Sequence, residues 1–379
     1  MGDISECIVP GRNKPKLFDG DIPWVTTPDL KDKTYVSDTR SNYYISEDEA
    51  KSVGSKIVPT NSVIMSCVGD LGLFAINTKP IVINQQLHAF ILDDHKYSSI
   101  FVLNALSKNQ DYIEKVATKT ALPYLNKDNC NSIPLFLCSF KEQTKIASFL
   151  SAVDEKINQL TQKHQLLSQY KQGMMQKLFS QQLRFKADDG SEFGEWENTV
   201  LGDIADIVGG GTPSTNNEEY WSGDVVWLTP SEINQKFIGE SKRTISELGV
   251  QKSSAKKLPI GTILFTSRAT IGEVAIAIAE VTTNQGFQSF ISNEKTFNEF
   301  LYYWIVNNKK SFIERASGST FLEISKSKIQ PMEISLPCLE EQTKIANFLS
   351  AIDQKIEVVA QQIEQAKTWK KGLLQQMFV

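Results

Sequence analysis

Residues able to take part in recognition chemistry fall at matching places in the two halves of the chain. In the first half these are Arg12, Lys14, Lys16, Arg40, Tyr43, Tyr44, Asn84, Gln85 and Gln86. In the second they are Thr212, Ser214, Lys236, Arg243, Ser267, Arg268, Asn284, Gln285 and Gln288. Asn and Gln amides can bond adenine bidentately, Arg can bond guanine, and Ser and Thr hydroxyls suit phosphates. These residue types therefore point to nucleic-acid contacts. Each taken singly is an ordinary surface or turn residue, and only their duplicated context raises them above that. The run GGGTPS (209–214) lacks the GxxxxGK[ST] pattern of a nucleotide-phosphate loop, and Pro213 stands where a helix would need free N–H groups. It reads as a tight turn able to lay backbone against a phosphate.

Bond-making chemistry finds little support. No GxSxG, HExxH or methyltransferase-type NPPY/DPPY motif occurs, and no Ser/His/Asp trio stands out. The acidic pairs Asp93–Asp94 and Glu218–Glu219 lie in loop-like contexts that favour solvation. The five cysteines (Cys7, Cys67, Cys130, Cys138, Cys338) are odd in number and far apart, and His88, His95 and His164 show no ligand spacing. No metal site and no disulfide framework is expected, and a reducing, cytoplasmic setting fits. Cys138 and Cys338 read as small buried residues. The sequence thus offers no catalytic residue, metal or cofactor, and describes a non-enzyme.

The elements that position the recognition residues come from a duplication. EQTKIASFLSAVDEKI (142–157) recurs 199 residues later as EQTKIANFLSAIDQKI (341–356). Weaker matches precede it: DIPWVTTPDL (21–30) with DVVWLTPSEI (224–233), SCVGDLG (66–72) with TSRATIG (266–272), and NQQLHAF (84–90) with NQGFQSF (284–290). A period of about half the chain means two whole domains rather than a solenoid. In the first repeated helix Ile146, Leu150, Val153, Ile157, Leu160, His164, Leu167, Lys171, Met174 and Leu178 step by four and three. Ile345, Leu349, Ile352, Ile356, Val359, Ile363, Ala366, Lys370, Leu373 and Met377 do so in the second. Such heptads predict a coiled coil, with Lys171 and Lys370 as matching polar interruptions. About 38 helical residues make a rod of roughly 55–60 Å. Two seams in one chain satisfy each other most simply as an intramolecular antiparallel pair with pseudo-two-fold symmetry.

The remaining sequence alternates short apolar runs with turn signals, and the fold class is a mixed α/β one. Strand candidates are 59–68, 74–78, 79–84, 257–266 and 272–280, and helices are predicted over 97–117 and 297–316. The expected organisation is a first domain at 1–136, a helix at 137–183, a linker at 184–195, a second domain at 196–336 and a helix at 337–379. With 379 residues, 41% apolar and 22% charged, the chain can bury two or three cores. No apolar run is long enough to span a membrane, and the first fifteen residues do not resemble a secretory signal. The net charge of −4 implies modest DNA affinity from this chain alone, with further phosphate contacts supplied by partners.

On the paired EQxKIAxFLSAxDxKI helices, the WVTTPDL/WLTPSEI segments, the GGGTPS loop, TSRATIGEVAI and NQGFQSF, the chain resembles the DNA-specificity (S) subunits of type I restriction–modification systems. The resemblance covers almost the whole length. It implies two target-recognition domains that read an asymmetric, bipartite double-stranded DNA target, separated by two conserved helices. It also implies two methyltransferase subunits as partners, with restriction subunits bound through them, and no membrane. The first half departs from the pattern, having VPGRNKP where GGGTPS stands later and Ser66-Cys67-Val68 in place of Ser267-Arg268. The reading from a different class is a coiled-coil adaptor whose end domains grip proteins without reading DNA, which the acidic net charge favours.

Overall fold

Strand order repeats as the sequence does. The computed structural model describes residues 1–378 apart from 12, 32, 269 and 319–321. It divides into one unit formed by Met1–Gln162 with Ala360–Val379 and another formed by Lys163–Val359.

In the first unit a five-stranded sheet runs in the order Ser5–Ile8, Leu87–Leu92, Val63–Ser66, Phe74–Asn77, Tyr35–Val36. Only the last pairing is parallel. A three-stranded sheet beside it centres on Ile22–Val25, flanked by Tyr44–Ile45 and Val82–Ile83. In the second unit the five-stranded order is Ala205–Gly209, Gln288–Ser292, Ile263–Phe265, Val274–Ala277, Phe237–Ile238, and Trp221–Leu228 centres the smaller sheet. Register repeats too: Val63 faces Phe90 as Ile263 faces Phe290. These strands alternate or run fully apolar because each is covered on both faces, by helices on one side and by the smaller sheet and its loops on the other. The second unit adds a pair, Glu197–Val200 with Glu333–Leu336.

Each predicted domain helix is broken into two. Ser99–Lys108 and Gln110–Val116 replace one helix, and Asn298–Asn307 and Lys309–Arg315 the other. The breaks fall at Asn109 and Asn308, whose side-chain amides donate to the carbonyls of Ala105 and Trp304 at 2.9 and 2.8 Å. A short amide side chain competing for backbone acceptors ends a helix that hydropathy alone would continue.

The long helices, Phe140–Phe179 and Leu339–Met377, are uninterrupted. Each start is pinned by the glutamine of the repeated motif. Gln143 Oε1 accepts the Ser98 N–H at 3.1 Å and its Nε2 donates to Cys138 O; Gln342 Oε1 accepts the Phe297 N–H at 2.8 Å and its Nε2 donates to Lys295 O and Pro337 O. Both glutamines are buried. With the helix start held this way the preceding cysteine is not needed in the core: Cys138 is half-buried and Cys338 exposed, against the expectation of burial.

Of the seam residues in the first unit, Leu150, Val153, Leu160 and Ile363 are buried, while Ile146, Ile157 and Leu373 are half-buried. In the second unit Ile345, Leu349, Ile352 and Val359 are buried, and Leu167, Met174 and Ile356 half-buried. Met175, off the predicted stripe, is buried because it packs into the domain core with Ile345, Leu349, Phe300 and Trp304. The helices run antiparallel in each unit. Lys171 pairs with Asp353 in the second (2.5 Å) and Lys370 with Asp154 in the first (2.5 Å). The segment 184–195 is anchored: Arg184 donates to Glu341 at 2.8 and 3.1 Å, Trp196 Nε1 donates to the same carboxylate at 3.0 Å, and Phe185 meets Phe348 edge-on.

Leu349→Ala should lower the unfolding free energy by about 2–5 kcal/mol, and Leu166→Ala, which is 57% exposed, by less than about 0.5 kcal/mol. Urea denaturation of the two variants checks this, and equal losses would show that Leu349 does not face a packed core.

Candidate nucleic-acid interface

The second unit gathers Thr212, Ser214, Arg243, Asn284 and Gln285 around the three-stranded sheet. The glycine run leaves its strand and packs backbone against backbone. A Cβ at Gly210 would collide with Thr283 and with Asn284 O, and one at Gly211 with Ser254 and Ala255. Close approach, not backbone handedness, therefore demands glycine here. Gly211 N–H donates to Thr283 O at 2.8 Å, and Trp227 Nε1 donates to Gly211 O at 2.9 Å. The loop is thereby laid beside the 284–286 turn, where Thr212 Oγ1 donates to Gln285 Oε1 at 2.5 Å and Asn284 Oδ1 accepts the Gly286 N–H. Next to it the Arg243 guanidinium stacks 3.8 Å from the centroid of Trp221, which meets Trp227 edge-on and donates from Nε1 to Ser214 O. Thr212, Ser214, Arg243 and Gln285 are exposed. Fixed backbone, amides and a stacked cation on one surface suit a polyanion with readable edges.

The first unit builds the same place with other residues. Gln85 Nε2 donates to Gly11 O and Asn13 O at 3.2 and 3.0 Å, tying the 84–86 turn to the VPGRNKP loop. Asn84 and Thr27 both donate to Gln86 Oε1 at 3.2 Å. Tyr43 stacks on Phe18, with ring centroids 4.5 Å apart, and both lie near Trp24. Lys14, Lys16, Arg40 and Tyr43 are exposed and Asn84 is buried; Arg12 lies outside the described residues.

One brace recurs under both surfaces. Asp29 accepts the Thr26 N–H and hydroxyl at 2.7 Å and, through its other oxygen, the Arg40 N–H at 2.6 Å. Glu232 accepts the Thr229 N–H and hydroxyl at 2.8 and 2.7 Å and the Lys242 N–H at 2.7 Å. The shared Thr…Asp/Glu of the WVTTPDL and WLTPSEI segments is thus a capping box whose spare oxygen holds the basic loop ten or so residues on. Sequence reading recognised the segments without this role.

The family described as "Type I restriction modification DNA specificity domain" matches residues 1–168 and 194–368. The chain belongs to this family. Among its relatives, the type I restriction enzyme MjaIX specificity subunit of Methanocaldococcus jannaschii is 40% identical over 185 residues, 47% of this chain and 43% of that protein. The HindI specificity subunit of Haemophilus influenzae is 24% identical over 90% of this chain and 89% of its own length. The crystal structure of a type I restriction–modification S subunit from M. genitalium is similar in fold, with a TM-score of 0.61 at 16% identity over 100% of this chain and 94% of that one. The chain thus spans less than half the length of the first of these relatives.

Other candidates of this family member sit differently. Lys236 is turned inward: its ammonium donates to Glu299 at 2.6 Å, to the Tyr303 hydroxyl at 2.9 Å and to Ser350 at 3.3 Å. Tyr303 donates in turn to Asp353 at 2.5 Å, and burial followed by that carboxylate pushes its hydroxyl far above the usual phenol range. Arg268 pairs with Glu323 at 2.8 Å, and Ser267 is buried with no partner for its hydroxyl among the described residues. Trp221 and Phe18, absent from the sequence-derived set, carry the stacking; their signal was an aromatic beside a turn. The expectation that cysteines and histidines form no ligand cluster is corrected in the first unit. Cys67, His88 and Cys130 converge there, because strand pairing puts Cys67 and His88 on one face and the helix Lys127–Asn131 lays Cys130 over it.

Lys236→Met should cost about 1–3 kcal/mol of stability by leaving buried acceptors unpaired, whereas Arg243→Ala should cost no more than about 1 kcal/mol. Chemical denaturation separates them, and the reverse order would contradict the assignment of Lys236 to the interior.

Proposed function

We propose that this chain is the DNA sequence-specificity subunit of a type I restriction–modification complex, without catalysis of its own. Residues 1–136 and 196–336 form two target-recognition domains, each reading one half of a bipartite, asymmetric double-stranded target. Residues 137–183 and 337–379 form an antiparallel coiled coil with pseudo-two-fold symmetry that sets the unread spacer, and 184–195 links the first helix to the second domain. That coiled coil docks two methyltransferase subunits, and restriction subunits join through them. The methyltransferases flip and methylate an adenine in each half-site. The complex works in the cytoplasm.

The observation that carries this reading is the exchange of repeat-equivalent residues between the helices: Lys171 meets Asp353, and Lys370 meets Asp154. Exchange of that kind is the mark of an isologous contact, and duplex DNA offers half-sites related by its own dyads. Two surfaces of one construction with different loops suit two different half-sites. The exposed residues Lys14, Lys16, Arg40 and Tyr43 in one domain, and Thr212, Ser214, Arg243 and Gln285 in the other, are the contacts we assign to DNA. Arg12 and Arg268 are assigned to phosphate, and Asn84, Gln85, Asn284 and Ser267 to shaping the surface.

Replacing 196–336 by the same region of a relative should change one half-site of the methylated motif and leave the other intact; alteration of both would sink the modular reading. In the assembled methyltransferase complex, Arg243→Ala should weaken DNA binding and, if the residue meets a phosphate, reduce the slope of log K against log salt by about 1. Unchanged affinity at every salt concentration would remove Arg243 from the interface.

A further inference from the structure

Three buried side chains of the first unit meet at distances that suit a metal ion. The ligand atoms of Cys67, His88 and Cys130 all lie within 4.8 Å of one another. Cys67 Sγ is 3.6 Å from Cys130 Sγ, and His88 Nδ1 is 3.3 Å from Cys130 Sγ. A tetrahedral zinc ion with thiolates at about 2.3 Å and imidazole at about 2.0–2.1 Å sets two sulfurs about 3.8 Å apart and sulfur about 3.5 Å from nitrogen. These two separations fall within a few tenths of an ångström of those edges, and the ligand atoms of Cys67 and His88 lie within 4.8 Å of each other.

The sheet explains the convergence. His88 faces Met65 across the central strands, and Cys67 stands two residues beyond Met65, so both side chains share a face. Cys7 faces Phe90, two residues from His88, and lies on that face and in the same core cluster. The short helix Lys127–Asn131 lays Cys130 over it, fixed by the Leu125 N–H donating to Cys67 O at 2.9 Å.

The second unit supplies the contrast. Its backbone repeats the arrangement, with Ser267 N–H donating to Gly286 O as Cys67 N–H donates to Gln86 O, and Ile324 N–H donating to Ser267 O. At the equivalent positions it holds Ile207, Ser267, Gln288 and Ile329. Ser267 Oγ and Gln288 Oε1 have no hydrogen-bond partner among the described residues. The fold alone therefore does not call for thiols and an imidazole at this place.

We propose that Cys67, His88 and Cys130 bind a thiophilic divalent cation, zinc by preference. Two thiolates and an imidazole, all buried, are the donor set that suits a thiophilic cation such as zinc, with a fourth position still to be filled. Binding exchanges thiol protons for the metal and needs no redox partner. The ion would tie the strand Leu87–Leu92, which follows directly from the Asn84–Gln86 turn, to the helix Lys127–Asn131, and so stiffen the base of the first domain's surface.

The test uses the full chain, purified with reductant and no chelator. The metal content expected is about one zinc per chain. Replacing zinc by cobalt should give thiolate-to-metal charge-transfer absorption and the strong visible bands of a tetrahedral site, with both weakened by His88→Gln. A combined Cys67→Ser, His88→Gln, Cys130→Ile variant installs the residues the second repeat already accommodates. It should hold no zinc, and a chelator should lower the melting temperature of the parent chain but not of this variant. A parent chain that takes up neither zinc nor cobalt overturns the proposal, as does a Cys67–Cys130 disulfide detected by a mass two hydrogens lower. Cobalt spectra of the parent decide the matter even where the variant does not fold.

Discussion

A charged residue in an apolar helix seam is tolerated only where the partner helix answers it at the same level, and this chain meets that condition twice with one pair of residue types. Lys171 and Asp353 meet in one unit, Asp154 and Lys370 in the other, and all four are largely shielded from water. Shifting the pairing by one heptad would strand a lysine among Leu, Val and Ile, and an unpaired shielded charge costs far more than a surface ion pair gains. The polar position thus fixes register rather than adding much stability. Aspartate and lysine stand seventeen residues apart in both copies of the helix, so each can neither drift nor mutate alone without breaking the match. That mutual requirement holds the two helices to one pattern at this level. In the second unit the pair extends through Asp353 to Tyr303 and Lys236, which joins the seam to the domain packed on it.

The domains are under no such constraint. Their sheets share strand order and register, and their cores accept exchanges such as Cys7 for Ile207. The loops at the smaller sheet share only a scaffold: the capping box of Thr26–Asp29 and Thr229–Glu232, a stacked aromatic group, and a turn at 84–86 or 284–286. What lies on that scaffold differs, with Tyr43 on Phe18 in one unit and Arg243 on Trp221 in the other. Binding residues on loops held by a rigid frame can change without unfolding the frame. Loops that vary on a shared frame are what the proposed reading of two different half-sites requires.

Much of this architecture was legible in the residues. A heptad period survives in sequence because it is local, and it located both long helices along with their lysines. The strand segments were legible from apolar runs bounded by turns. Tertiary effects were not. Asn109 and Asn308 break helices that hydropathy would continue, and Met175 is buried off-stripe because a domain core, not the partner helix, receives it. Lys236 looked like a free cation until Glu299, Tyr303 and Ser350 closed on it. The thiols of Cys67 and Cys130 are 63 residues apart and meet because a short helix packs on the sheet. Spacing rules built on short metal motifs cannot see such a pair.

The helix pair as a ruler is the claim on which the rest turns, and inserting one full heptad at matching levels of both long helices tests it most directly. Methylated adenines would be mapped across the genome of cells carrying the altered chain and its methyltransferase partner. A motif with the same two half-sites and a longer gap is the predicted result. An unchanged gap with active methylation would contradict the account, because the distance between half-sites would then be set by something other than these helices.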